Sequence, residues 1–357
     1  LITLFDAGTQ ERSKLPLILG YTFMTAALVW LLHDFHIVQA LRDFARVDYR
    51  WVLVGMGFDV MSYFMQALRW KLLLTPFGKV RLTSSIRAVF SGLFANLLFP
   101  LRPGEFLRCY LLADSEEISI GRVGGALGVE RLIDLVIATA SLGVVSLVVD
   151  LPRRFNKVAD ILGWVTLTLV TIVVVIILYL EIKMGSNPEA ECKRKGMTGK
   201  VMAALTGLHA IGTAPSFYPA VFASMGLPGF QTLALWAMMK SYGLHPSIDG
   251  HSENTFLAAI VVVLIINLGV SLPNAPANIG AYQFFCVMGL TVFQVEKTTA
   301  TGFSFFAFLA LTIPFIFLGF AAVVRSGLSL RSMKDTVSHM PRNVAKGQRP
   351  AQAPSQA

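Results

Sequence analysis

Runs of about twenty apolar residues recur along the whole 357-residue chain, and no other feature restricts its fold so strongly. In hydrocarbon every backbone N–H and C=O needs an internal partner, so such a run is a membrane-spanning helix. The clearest runs are 17–32, 52–68, 123–149, 161–180 and 302–324. Composition agrees, with 55% hydrophobic residues against 14% charged and a mean hydropathy of +0.64. Two uncharged stretches, 201–239 and 254–295, are too long for one helix and are interrupted by Pro and Gly. The first is expected to divide near Gly226-Leu227-Pro228-Gly229 and the second at Pro273 to Ile279. The expected fold is therefore all-α, a polytopic membrane protein of about eight transmembrane helices plus re-entrant Pro-interrupted segments.

Residues 1–330 are expected to form one integral membrane domain, with the first apolar run a retained helix because no small-residue cleavage site follows it. Residues 331–357 are basic and then rich in Ala, Pro and Gln, a composition that buries no core and is expected to be disordered. Cys109, Cys192 and Cys286 lie far apart and are read as small apolar fillers; no metal or cofactor is expected. The net charge of +9 reflects topology rather than nucleic-acid binding. Basic residues concentrate at 71–87, 183–200 and 325–349, which the positive-inside rule places in the cytoplasm, while 34–50 balances its charges and is assigned outside. Both termini are then cytoplasmic and the protein sits in the plasma (inner) membrane. That parity leaves the apolar segment Ser84 to Pro100 to enter and leave from one face, as a re-entrant hairpin.

Charges interrupt this apolar background in one region. Arg102-Pro103-Gly104-Glu105 leads to Arg108, and Glu130-Arg131 is followed by Asp134 and an uncharged run. Each ionisable group entering a bilayer costs roughly 2.5 to 3.5 kcal/mol, so six of them are expected to pair or to act. Arg102, Arg108 and Arg131 suit the phosphate of a lipid headgroup, with Glu105, Glu130 and Asp134 orienting them or meeting a cationic substituent. The competing reading sets them at headgroup level as salt bridges that fix helix ends. Asp59, alone in an apolar stretch, either joins the cluster or bonds to a neighbouring helix. A counterpart in the second half carries Asn267, Pro273, Pro276, Gly280 and Gln283, so both halves contain an apolar segment ending in Pro-x-x-Pro. Such pairs mark transporter sites between inverted repeats.

These residues carry a resemblance. From Arg69-Trp70 through Asn96, Pro100, Arg102, Gly104-Glu105, Arg108 and Glu130-Arg131 to Asp134, and again from Pro273 to Tyr282, the chain resembles the transmembrane region of lysylphosphatidylglycerol synthases and the stand-alone flippase-like proteins that share it. The resemblance implies a domain that moves or presents an anionic amphipathic lipid, a phospholipid or a polyprenyl-phosphate-linked one, and no enzyme activity, since the family's soluble aminoacyltransferase domain is not among these residues. Pro276-Ala277 and Gln283 depart from the family pattern of Pro-Gly and a later Glu, leaving hydrogen bonding to a headgroup as the role of Gln283. Two alternatives stand beside lipid transport: a membrane partner or scaffold of a separately encoded lipid glycosyltransferase or aminoacyltransferase, and a lipid-modifying transferase using the carboxylates as acid and base.

Overall fold

The computed structural model describes residues 15–148 apart from 34 and 101, short pieces between 157 and 175, and residues 210–326 apart from 249, 250, 253 and 272–275. Pro273, Cys192, the basic stretch 183–200 and the tail 331–357 lie outside the described residues. The helices are α1 (Leu15–Leu32), α2 (Ile37–Ala45), α3 (Tyr49–Leu74), α4 (Leu82–Leu98), α5 (Gly104–Ser115), α6 (Ile120–Val148), α7 (Phe217–Tyr242), α8 (Thr255–Val270), α9 (Ala281–Val292) and α10 (Lys297–Arg325). A shorter apolar helix, Gly163–Ile172, two short 3₁₀ turns and a two-residue antiparallel pair, Ser247–Ile248 with His251–Ser252, are also among the described residues. The helical membrane architecture expected from the sequence is what forms.

Among the described residues three helices, Tyr49–Phe77, Phe217–Tyr242 and Lys297–Arg325, are long and apolar enough to cross a bilayer. Their outer faces carry Leu53, Tyr218, Phe222 and Phe317 in the open, where lipid rather than water satisfies them. One expected division of an apolar stretch does not occur. The stretch 201–239 does not divide at Gly226, because α7 runs unbroken through Pro228. Proline costs the bond to the carbonyl four residues earlier, that of Ser224, and a membrane helix tolerates this where the freed group borders a cavity. Ser224 and Pro228 do border one, and the chain instead turns at 213–216.

The other departure from simple crossings is a pair of helical hairpins. At 1.5 Å per residue α5 and α9, of 12 residues each, span about 18 Å and fall well short of a hydrocarbon core of about 30 Å. In the first hairpin Arg81, just before α4, holds Glu116, just after α5 (Nε to Oε1, 3.2 Å), so both arms end on one side of the bundle. The segment Ser84 to Pro100, expected to turn back by itself, is instead one helical arm, and the chain returns with α5. The tip of the hairpin is set by chemistry: Phe99 precedes Pro100 and is forced into extended geometry (φ −117, ψ 142), ending α4. Arg102 turns the chain in the left-handed region (φ 53). Asn96 Oδ1 then accepts from the Gly104 N–H at 2.8 Å, satisfying a first-turn donor of α5.

The second hairpin, α8 and α9, is built alike and enters from the opposite end. Asn254 caps α8 by accepting from Phe256 N–H (3.0 Å), and Ser247 N–H donates to Phe293 O (3.0 Å) beside the far end of α9. The tip uses left-handed Ala277, Asn278 and Gly280 (φ 56, 57 and 83). Gln283 Oε1 accepts from the Gly280 N–H at 2.8 Å, the counterpart of the Asn96 cap. The tips meet where Arg102 Nη1 donates to Val270 O at 2.9 Å. Around them α3 and α7 pack antiparallel, with Asp48 N–H on Ser241 O (3.0 Å) and Trp51 edge-on to Trp236.

The hairpin arms approach so closely at Gly92 and Gly104 that a Cβ on Gly104 would overlap the Gly92 carbonyl. Gly104→Ala is expected to destabilise the protein by about 1 to 3 kcal/mol, the usual cost of overpacking. Gly57→Ala, where a Cβ meets nothing within 4 Å, is the control and should melt at or above the parent temperature in detergent. Equal melting of the two variants would contradict the packing described.

Candidate functional site

On α3, Asp59, Ser62, Tyr63, Gln66, Arg69 and Trp70 recur at helical spacing and form one polar stripe inside an otherwise apolar helix. The stripe faces α6, where Glu130 stands ten residues past Ile120, about 15 Å along the helix and far from its end. Glu130 is fully buried. One of its oxygens is held by Arg69 Nη2 and by Gln66 Nε2 (3.3 Å), the other by Arg108 Nη2 at 2.6 Å. Arg69, also fully buried, spends its second guanidinium nitrogen on Asp134 Oδ1 at 2.5 Å. Glu130 and Asp134 thus share one partner because they are one helical turn apart.

The pairing continues outward. Asp134 lies 3.6 Å from Arg131, Arg131 Nη2 donates to Glu105 Oε1 at 2.6 Å, and Glu105 lies 3.9 Å from Arg102. The side chains form one alternating relay, Arg108, Glu130, Arg69, Asp134, Arg131, Glu105, Arg102, that begins and ends in arginine. Four guanidinium groups therefore oppose three carboxylates, and one positive charge is left over. Arg69, Arg102 and Arg108 each keep a buried Nε–H without a hydrogen-bond partner among the described residues. The Trp70 ring lies against Arg108, 4.7 Å from its guanidinium carbon, and fixes its plane.

The relay borders a cavity of about 400 Å³ that extends between the hairpin tips. Arg102, Glu105, Arg108, Arg131 and Asp134 line one end. The lining also includes Asp59, Tyr63, Gln231, Asn267, Asn278 and Tyr282, with apolar groups such as Leu227, Pro228, Val263, Phe308 and Phe315. Asn267 Nδ2 donates to Gln231 Oε1 at 3.1 Å, linking α8 to α7 beside the cavity.

Of the site residues read from the sequence, the first-half set converges, but Glu130 stands behind the cavity wall and does not line it. In the second half Asn267 faces the cavity. Pro276 belongs to the tip, while Gly280 and Gln283 are buried at the start of α9, with the Gln283 oxygen already used by the backbone. Arg69 was absent from the sequence-derived set because it ends the apolar run beside Lys71 and looks interfacial there. Its i, i+3 spacing from Gln66 was the signal that could have found it. No group of His, Cys, Asp and Glu among the described residues is arranged to hold a metal.

Because Glu130 is the buried partner of two arginines, Glu130→Gln should leave both undercompensated and cost about 3 to 5 kcal/mol. Arg131, with its side chain 47% exposed, should cost far less on change to Gln. Melting of the purified variants checks the order, and Glu130→Gln melting with the parent would refute the role assigned to it.

Residues 17–319 match the family model described as the lysylphosphatidylglycerol synthase TM region. Neither the curated proteins nor the solved structures give a match.

Proposed function

The chain belongs to the lysylphosphatidylglycerol synthase TM-region family, and from that membership and the cavity we propose that it carries an anionic amphipathic lipid across the bilayer. The observation that supports this most is the relay's charge. An excess of one positive charge, with unpartnered Nε–H donors on Arg102 and Arg108, suits one phosphodiester, which brings one negative charge and oxygens that accept from planar guanidinium forks. Apolar walls beside the arginines let the glycerol or first acyl carbons follow while the tails stay in lipid. Two hairpins entering from opposite ends and touching at Arg102 and Val270 suit a site reached alternately from either side. In this reading the protein changes the position of the lipid and not its covalent structure, and a lipid-modifying transferase would be a separate partner. The end of the bundle carrying Lys71, Lys79, Arg81 and Arg325 is assigned to the cytoplasm, in the plasma membrane, with both termini there.

The test is lipid movement in vesicles. Purified protein should transfer headgroup-labelled phosphatidylglycerol between leaflets, and Arg102→Gln should lower the rate at least tenfold while the protein still unfolds cooperatively, its melting temperature lowered only by the loss of the bond to Val270. Unchanged transfer by Arg102→Gln, or a chemically altered lipid in the product, would refute the reading. For orientation, a cysteine placed at Lys79 should be shielded from an impermeant thiol reagent in intact cells and one at Arg46 labelled. The reverse pattern would invert the assignment.

A further inference from the structure

Asp59 is the one acid at the cavity that lies outside the relay. It is 6% exposed, lines the cavity from the middle of α3, and its carboxylate has no hydrogen-bond or ion-pair partner among the described residues. Tyr63 on its own helix and Tyr282 on α9, with Cys286 behind, are the nearest titratable groups. From α7 come the uncharged Ser224 and Gln231, and from the tip of the first hairpin Arg102, whose guanidinium is already engaged by Val270 and Glu105.

The cavity therefore carries two formal charges that are opposite and equal: the relay with one positive charge in excess, and Asp59 with one negative charge. Empty, the pair is balanced. An anionic phosphodiester on the arginines alone leaves the whole one charge negative, and a proton on Asp59 alone leaves it one charge positive. Both half-loaded states place an uncompensated charge in a low-dielectric, membrane-embedded space, which is costly. With lipid and proton both bound the balance returns. The low-energy states, those free to rearrange between the two openings, are the empty one and the doubly loaded one. From this we infer that Asp59 is a proton-carrying site and that the protein is a symporter moving one proton with each anionic lipid. The proton is taken up from the aqueous side at which the lipid enters and released to the other. The inference rests on the lipid reading above and adds its coupling ion.

The experiment uses the full chain in phosphatidylcholine vesicles holding a trace of acyl-labelled phosphatidylglycerol, distributed evenly at the start. A difference of one pH unit is imposed with the membrane voltage clamped at zero, and protein-free vesicles give the baseline. One-to-one coupling should enrich the label in the leaflet facing the alkaline side by about tenfold per pH unit at equilibrium. Asp59→Asn should leave the label even, and Asp59→Glu should restore the enrichment; melting curves show that each variant is folded. In parallel, vesicles labelled on one leaflet and kept without a gradient report lipid movement alone. Wild-type protein that moves lipid there but leaves it even under the gradient overturns the coupling and spares the lipid reading. Wild-type protein that moves no lipid beyond the baseline overturns both. A tenfold enrichment retained by Asp59→Asn overturns the assignment to Asp59.

Discussion

The carboxylate of Glu130 is the group on which the first half of the molecule depends. It is fully buried, and it ties α6 to α3 through Arg69 and to α5 through Arg108. Buried ion pairs add little net stability against an apolar alternative, because desolvation offsets their attraction. What they do impose is geometry, since a half-paired guanidinium in that interior is far more costly than a mispacked leucine. The rotation of α3, α5 and α6 about their axes is thereby fixed, and with it the face that each turns to the cavity. Trp70 against Arg108 and Gln66 on Glu130 extend the same constraint.

The hairpins depend on a second constraint, the need to satisfy helix ends deep inside the bundle. Non-helical backbone is tolerated at that depth only when its polar groups find partners. Both hairpins meet the need in the same way, with a side-chain amide accepting from the backbone N–H at the start of the returning helix, Asn96 for α5 and Gln283 for α9. The C-terminal carbonyl of α8, that of Val270, is taken by Arg102 from the opposite hairpin. Structural and polar demands thus meet at one place, and the cavity is what remains between the tips. The two halves are alike in backbone plan and different in charge, the first bringing the arginines and the second uncharged amides and a tyrosine.

Much of this was legible in the sequence. The apolar runs located α1, α3, α6 and α10, and Pro100 and Pro103 marked the end of α4 and the turn into α5. The i, i+4 spacing of Glu130 and Asp134 placed both on one face, as their shared bond with Arg69 confirms. What could not be read was which member of the cluster looks inward. Glu130 and Glu105 are equivalent as letters, and only the rotation of the packed helices puts one behind the wall and the other on it. Pro228 misled for a related reason: in water it would end the helix, but here the carbonyl it frees belongs to a residue at the cavity. Gln283 looked like a substituted site residue because the backbone N–H that occupies it has no signature in sequence.

The central claim is that the cavity between the hairpin tips is where the lipid headgroup resides. Electron cryomicroscopy of the protein in a phosphatidylglycerol-containing nanodisc tests it most directly. The account predicts headgroup density within the cavity, its phosphate in hydrogen-bond range of Arg102 or Arg108 and its tails leaving between the apolar walls. Ordered lipid confined to the outer faces of the bundle, with the cavity holding water alone under saturating lipid, would contradict it.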